Sequence, residues 1–170
     1  VIGDASLSLD CERTVSECVS QFGGLDILFN NVGIQPISSY TNVENTTEEM
    51  WDRVIAVNLK SRFLMAKYSI PEMRTRGGGV IISTASVQGQ QSAYLVPAYA
   101  ATKGGDLSLT RQMALDYAED NIRVLSVCPG GVDTPLWRDS VVSSGTEIED
   151  AIIESGRTHP IGRLGAPEDI

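Results

Sequence analysis

A chain of 170 residues with 42% apolar and 21% charged side chains has the size and composition of one globular domain with a real core. Its net charge of −9, from 13 basic and 22 acidic residues, argues against nucleic acid or an anionic membrane surface as a partner. The three cysteines (Cys11, Cys18 and Cys128) lack zinc-ligand spacing and His159 is the single histidine, so no metal site and no Ser-His-Asp triad is expected. The sparse, odd cysteine set and the lack of a signal-like segment or a run of ~20 apolar residues point to the cytoplasm.

Asp10 to Phe22 has the pattern of an amphipathic helix stopped by Gly23-Gly24. Leu25 to Phe29 is a short apolar run suited to a buried strand, followed by a polar loop from Asn30 to about Asn45. Thr46 or Thr47 can cap the next helix, whose first turn carries Glu48 and Glu49. That helix is expected to reach about Arg76, apolar nearly all round, with Pro71 bending or ending its regular part. After Gly77 to Gly79, Val80 to Thr84 reads as a strand. A second long helix then holds Tyr99 and reaches about Glu119. Ile122 to Cys128 is a further strand, ended by Pro129-Gly130-Gly131.

Such alternation predicts an α/β fold, a doubly wound parallel sheet covered by helices on both faces. Ligands bind such sheets at the carboxyl ends of the strands. The polar clusters fall there: Asn30-Asn31 after one strand, Ser86 after the next, and Pro129 to Thr134 after the third.

Tyr99 and Lys103 carry the chemistry. On a helix they lie one turn apart on one face. A phenol titrates near pH ~10 and is a poor acid or base at neutrality, but a fixed ammonium beside it favours the phenolate. Ser86 could hold a carbonyl or alcohol oxygen against that phenol. The residues around the pair are small, and Gly104 and Gly105 within a helix cost about 0.5–1 kcal/mol each relative to alanine. This predicts a close neighbour there, either another backbone or a flat ligand.

With these residues placed, the chain resembles the short-chain dehydrogenase/reductases of compact type, Rossmann-like enzymes that use a nicotinamide cofactor. Asn30-Asn31-Val32-Gly33 is similar to the family's Asn-Asn-Ala-Gly, with valine replacing the usual alanine. Val57-Asn58-Leu59 matches the segment with the active-site asparagine, and Ser86 to Gly89 the catalytic serine stretch. Tyr99 to Lys103 is the Tyr-x-x-x-Lys signature, and Pro129 to Thr134 resembles the nicotinamide loop. The resemblance implies Tyr99 as general acid/base, Ser86 bonded to the substrate oxygen, and Lys103 lowering the Tyr99 pKa and holding the ribose. It implies that Asn58 holds a water linking Lys103 to solvent. Cofactor contacts would come from Asp4 and Ala5 near adenine, from Asn31 and Gly33, and from Pro129, Gly130, Val132 and Thr134. It further implies NAD or NADP, a small alcohol or ketone substrate, and a homodimer or homotetramer through helices 47–76 and 98–119. Residues 136–160 would form a substrate lid whose polar side chains lean toward a sugar, a polyol or another small hydroxylated compound. His159 is expected to be a surface or hinge residue.

The family's glycine-rich phosphate turn has no counterpart in this chain, and the resemblance places Val1 to Gly3 at the end of a strand. The expectation is therefore a single partial Rossmann-like domain over 1–170, truncated at both ends, that binds dinucleotide weakly and turns over poorly on its own. The residue that selects NAD or NADP is lacking too. The alternative is a non-catalytic fragment acting as a dimerisation or interaction module.

Overall fold

The period-two alternation of Leu28, Ile81, Ile122 and Val124 buries one face of three parallel strands in the computed structural model, which describes residues 1–170. The strands are β1 (Ile27–Asn30), β2 (Gly79–Thr84) and β3 (Ile122–Val127), in the order β1-β2-β3. Leu28 stands opposite Ile81, and Ile81 opposite Val124. Against this face pack Ala66, Ile70 and Met73 of α3 (Ser61–Arg76) and Met113 of α4 (Pro97–Asp116). Met73 and Ile81 are fully buried, and each such side chain contributes roughly 1.5–3 kcal/mol.

The fold is a Rossmann-like α/β arrangement, with two departures from the sequence pattern. Helices cover one face of the sheet only, and Ile27, Phe29 and Leu125 on the other are 65%, 54% and 49% exposed. Residues 1–4 form no strand, because no neighbouring strand in this chain offers them a ladder.

Helix boundaries follow their caps. α1 (Ser8–Phe22) stops at Gly23, whose φ of 78° suits glycine. α2 (Glu48–Ile55) starts where the Thr47 hydroxyl accepts the Met50 N–H at 3.2 Å. A π-helical turn over Ala56–Lys60 joins α2 to α3. Pro71 does not end α3, which runs on to Arg76. Ile70 and Met73 on either side of it are buried, and their packing outweighs the one lost backbone bond. The chain continues through α5 (Pro135–Ser144) and α6 (Ile148–Thr158). No helix is long and apolar enough to cross a membrane.

Candidate active site

Backbone bonds carry the β2–β3 pairing past the end of the sheet. Ala85 N–H donates to the Val127 carbonyl at 2.8 Å and Val87 N–H to that of Pro129 at 3.1 Å. These bonds bring the Ser86 segment against the Pro129 loop, as the convergence of strand exits predicts. Ser86 is buried and its hydroxyl accepts the Gln88 N–H at 3.1 Å, opening a single turn over Val87–Gly89. A Cβ on Gly89 would stand 2.6 Å from the Lys103 carbonyl, so only glycine lets that turn lie on α4. A Cβ on Gly105 would meet Leu59 at 2.8 Å. The close neighbours predicted around Tyr99 are thus protein atoms.

The Ser86 hydroxyl faces the half-buried Tyr99 phenol. Lys103 is 4% exposed, and its Nζ donates to the Thr84 carbonyl at 2.6 Å while lying 5.4 Å from the centre of the Tyr99 ring. Burial holds the Tyr99 phenol above its usual pKa, and the groups that oppose burial are Ser86 and then the Arg62 guanidinium. The Lys103 ammonium is directed at Thr84 instead. Burial, reinforced by Arg62, lowers its own pKa from 10.5 to about 8.

That shift has a stability consequence with a definite sign. Above pH 8 the folded protein releases the Lys103 proton while the unfolded chain keeps it up to about 10.5, so the unfolded state binds more protons in this window. The cost of burying the ammonium is full below about 8 and is relieved as pH rises toward 10.5. Denaturant unfolding across this window is expected to show a stabilising contribution that Lys103→Met lacks.

Asn58 lies at the centre of the π-helical turn and is fully buried. Its Oδ1 accepts the Ile34 N–H and its Nδ2 donates to the Ile34 carbonyl, each at 2.8 Å. The side chain therefore clamps the loop after β1, with both of its polar ends directed at Ile34. Asn31 and Gly33 sit exposed on that loop.

The Pro129 loop is held from the C-terminal side. Gly131 accepts the Gly165 N–H at 3.1 Å, and Asp133 N–H donates to the Gly165 carbonyl at 2.8 Å. His159 adds a strut. Its Nδ1–H donates to the Ser155 carbonyl at 2.6 Å, which leaves Nε2 to accept the Gly131 N–H at 3.0 Å. Its ring fills the space that a Cβ on Gly130 would enter at 2.8 Å from Nε2. His159 is thus half-buried and bonded at both nitrogens, which sets aside the surface half of the surface-or-hinge expectation. Thr134 caps α5 by accepting the Trp137 N–H at 3.3 Å, and Val132 is half-buried beside it.

Asp4 and Ala5 are held in a turn of their own. The Asp4 carboxylate accepts the Ser6 N–H at 2.8 Å and the Ser6 hydroxyl at 2.7 Å, bonds that keep it below its usual pKa. The Ala5 carbonyl accepts the Cys11 thiol. Neither residue bonds to any member of the Tyr99 cluster.

Three residues of this region escape sequence reasoning. The Tyr40 hydroxyl is buried near Tyr99 and Ser140, and burial, opposed by Ser140, pushes its pKa up to about 12. Arg62 of α3 and Asp106 of α4 form a buried ion pair, with a Nε–Oδ2 distance of 3.6 Å. No local signal separates these two from the other charges of α3 and α4. A cleft of about 680 Å³ opens between α5 and α6, lined by Trp137, Val141 and Ile153 among others. None of Ser86, Tyr99, Lys103 or Asn58 lines it.

Comparison with known proteins agrees with this picture. The short chain dehydrogenase profile matches residues 1–143. An uncharacterized oxidoreductase of Thermotoga maritima is 38% identical over 170 residues, covering 100% of this chain and 65% of the relative. Cyclohexanol dehydrogenase of an Acinetobacter species is 40% identical over 161 residues, covering 95% of this chain and 59% of the relative. Among solved structures, ligand-free aldohexose dehydrogenase of Thermoplasma acidophilum superposes with a TM-score of 0.91 at 31% identity, over 99% of this chain and 66% of that one. The chain thus spans less than two thirds of the length of these two curated relatives. On sequence and architecture alike, it belongs to the short-chain dehydrogenases, a family of oxidoreductases that use NAD or NADP.

Proposed function

We propose that this chain carries the catalytic segment of an oxidoreductase that interconverts a secondary alcohol and its ketone with NAD or NADP. One observation carries the proposal: the Ser86 hydroxyl faces the Tyr99 phenol at the exit of β2, with the buried Lys103 ammonium one turn away on α4. Bound nicotinamide supplies the hydride donor or acceptor. Ser86 donates to the substrate oxygen and orients it toward Tyr99. In reduction the protonated phenol gives its proton to the developing alkoxide, and in oxidation the phenolate takes the alcohol proton. Burial raises the phenol's pKa, and Ser86 and Arg62 oppose that rise.

The residues present fit the nicotinamide and ribose half of such a cofactor. Lys103 spends one of its three N–H donors on Thr84, leaving two for ribose hydroxyls. Asn31 and Gly33 lie open on their loop, and Val132 and Thr134 border the same strand exits. Asp4 and Ala5 would stand toward adenine. Asn58 acts on this site by clamping Ile34, and a water held at its turn would connect Lys103 to solvent.

Residues 136–160 would act as the substrate lid, formed by α5 and α6. Tyr40 lies near both Tyr99 and Ser140, and a polar surround of this kind fits a cyclic alcohol or a sugar. The relatives named for cyclohexanol and aldohexose support that class. Trp51 and Phe63, exposed by 38% and 51% on α2 and α3, support self-association through the helices of 47–76 and 98–119.

The test is formation of reduced nicotinamide by the purified protein with cyclohexanol or an aldohexose, using NAD and NADP in parallel. Slow turnover with one pairing is expected, at cofactor concentrations high enough to offset the weak dinucleotide binding expected of the chain. Absence of turnover in every pairing would contradict the proposal.

A further inference from the structure

We infer that His159 is a positioning residue for the cofactor ring: as a neutral imidazole it pins the end of the lid to the loop that carries Val132 and Thr134. The inference rests on the proposed reading of those two residues as nicotinamide contacts. The state of the imidazole is independent of that reading, because its hydrogen-bond partners have fixed roles. A backbone carbonyl can only accept, so the contact of Nδ1 with the Ser155 carbonyl at 2.6 Å requires a proton on Nδ1. A backbone N–H can only donate, so the Gly131 N–H at 3.0 Å requires Nε2 to be unprotonated. Only the neutral Nδ1–H tautomer satisfies both.

The lid is thereby fastened at both of its ends to one short loop. At its start, the Thr134 hydroxyl accepts the Trp137 N–H at 3.3 Å and opens α5. At its end, the backbone N–H of His159 returns to the Ser155 carbonyl at 3.1 Å and closes α6. The imidazole folds onto that same carbonyl and presents Nε2 to Gly131. Gly131 is engaged through both backbone groups, because its carbonyl accepts the Gly165 N–H at 3.1 Å. The ring packs closely on both glycines: a Cβ on Gly130 would stand 2.8 Å from Nε2, and one on Gly131 3.2 Å from Cε1. On its other side the loop is tied to the Ser86 turn, where the Val87 N–H donates to the Pro129 carbonyl at 3.1 Å. His159 therefore completes a path of direct bonds from α6 through the loop to the turn of Ser86.

A side chain that only filled space would not need the acceptor. Without Nε2 the half-buried Gly131 N–H loses its partner, and the loop is free to shift against α6. Val132 and Thr134 follow Gly131 directly and move with it. The expected loss therefore falls on the nicotinamide end of the cofactor and spares the rest.

His159 is the single histidine, so ¹⁵N NMR of the imidazole reads its tautomer without any turnover. At a pH where the ring is neutral, Nδ1 is expected to carry the proton, and a proton on Nε2 overturns the inference. A second measurement titrates the native protein, His159→Phe and His159→Gln with NAD and with ADP-ribose, which lacks the nicotinamide ring. NADP and 2′-phospho-ADP-ribose form the parallel pair. Phenylalanine keeps a ring without the acceptor and should reduce the preference for whole dinucleotide about five- to tenfold. Glutamine places an amide oxygen as many bonds from Cα as Nε2 and should restore most of that preference. General loosening of the fold would weaken both ligands alike and leave their ratio unmoved. Should His159→Phe fail to fold, His159→Leu takes its place, and the tautomer decides independently. An unchanged preference in the variant without an acceptor overturns the inference and leaves the functional reading standing. A native protein that binds both ligands equally removes the functional reading, and the inference with it.

Discussion

Tyr99→Phe is expected to lower kcat by about 10²–10⁴-fold, the usual contribution of a positioned general acid or base. The substitution removes one oxygen and leaves the ring, so the contact of the Lys103 ammonium with its face, at 5.4 Å from the centroid, is kept. The Lys103 bond to Thr84 does not involve the phenol and should also persist. Fold and cofactor affinity should therefore be close to unchanged, and the loss should appear in kcat more than in KM. A pH signature accompanies it. Because burial holds the Tyr99 phenol above its ordinary value, alcohol oxidation should accelerate as pH rises through the alkaline range. The Phe variant should lose that rise. Steady-state rates against pH for both proteins check the two statements together.

Asp106→Leu is expected to be the most destabilising single change in this region, costing about 3–5 kcal/mol. It leaves the Arg62 guanidinium buried with no opposite charge, on a side chain that is already 1% exposed and short of hydrogen-bond partners. Replacing both members, Arg62→Met with Asp106→Leu, should restore stability to the original value or above it, by up to about 1–4 kcal/mol. Urea unfolding of the two variants measures the contrast. A single variant that loses less than about 1 kcal/mol would show that Arg62 finds another counter-charge or reaches water.

Much of the architecture was legible from local pattern. The apolar runs of β1, β2 and β3 and the stops at Gly23 and Gly77 are short-range signals, and all produced the expected elements. Thr47 was readable as a cap because a hydroxyl before Glu48-Glu49 has one obvious acceptor role. The gathering of Asn31, Ser86 and Pro129 at one sheet edge followed from parallel strand order. What escaped was long-range. Nothing local shows that Arg62 meets Asp106, or that His159 reaches Gly131. The tolerance of Pro71 within α3 depends on burial of its neighbours, and the π-helical turn at Asn58 depends on the loop it clamps. The relation between Tyr99 and Lys103 was readable as proximity. The depth of burial of each group and the Thr84 bond of the ammonium were not, because spacing on a helix reveals neither.

The most direct measurement is transfer of deuterium from a secondary alcohol labelled at its carbinol carbon, followed by the mass of the reduced nicotinamide. The native protein is expected to yield labelled cofactor, and Tyr99→Phe to yield almost none over the same interval while still binding the oxidised cofactor. Equal labelling by both proteins would contradict the assignment of Tyr99 as the proton-transfer group on which the account depends.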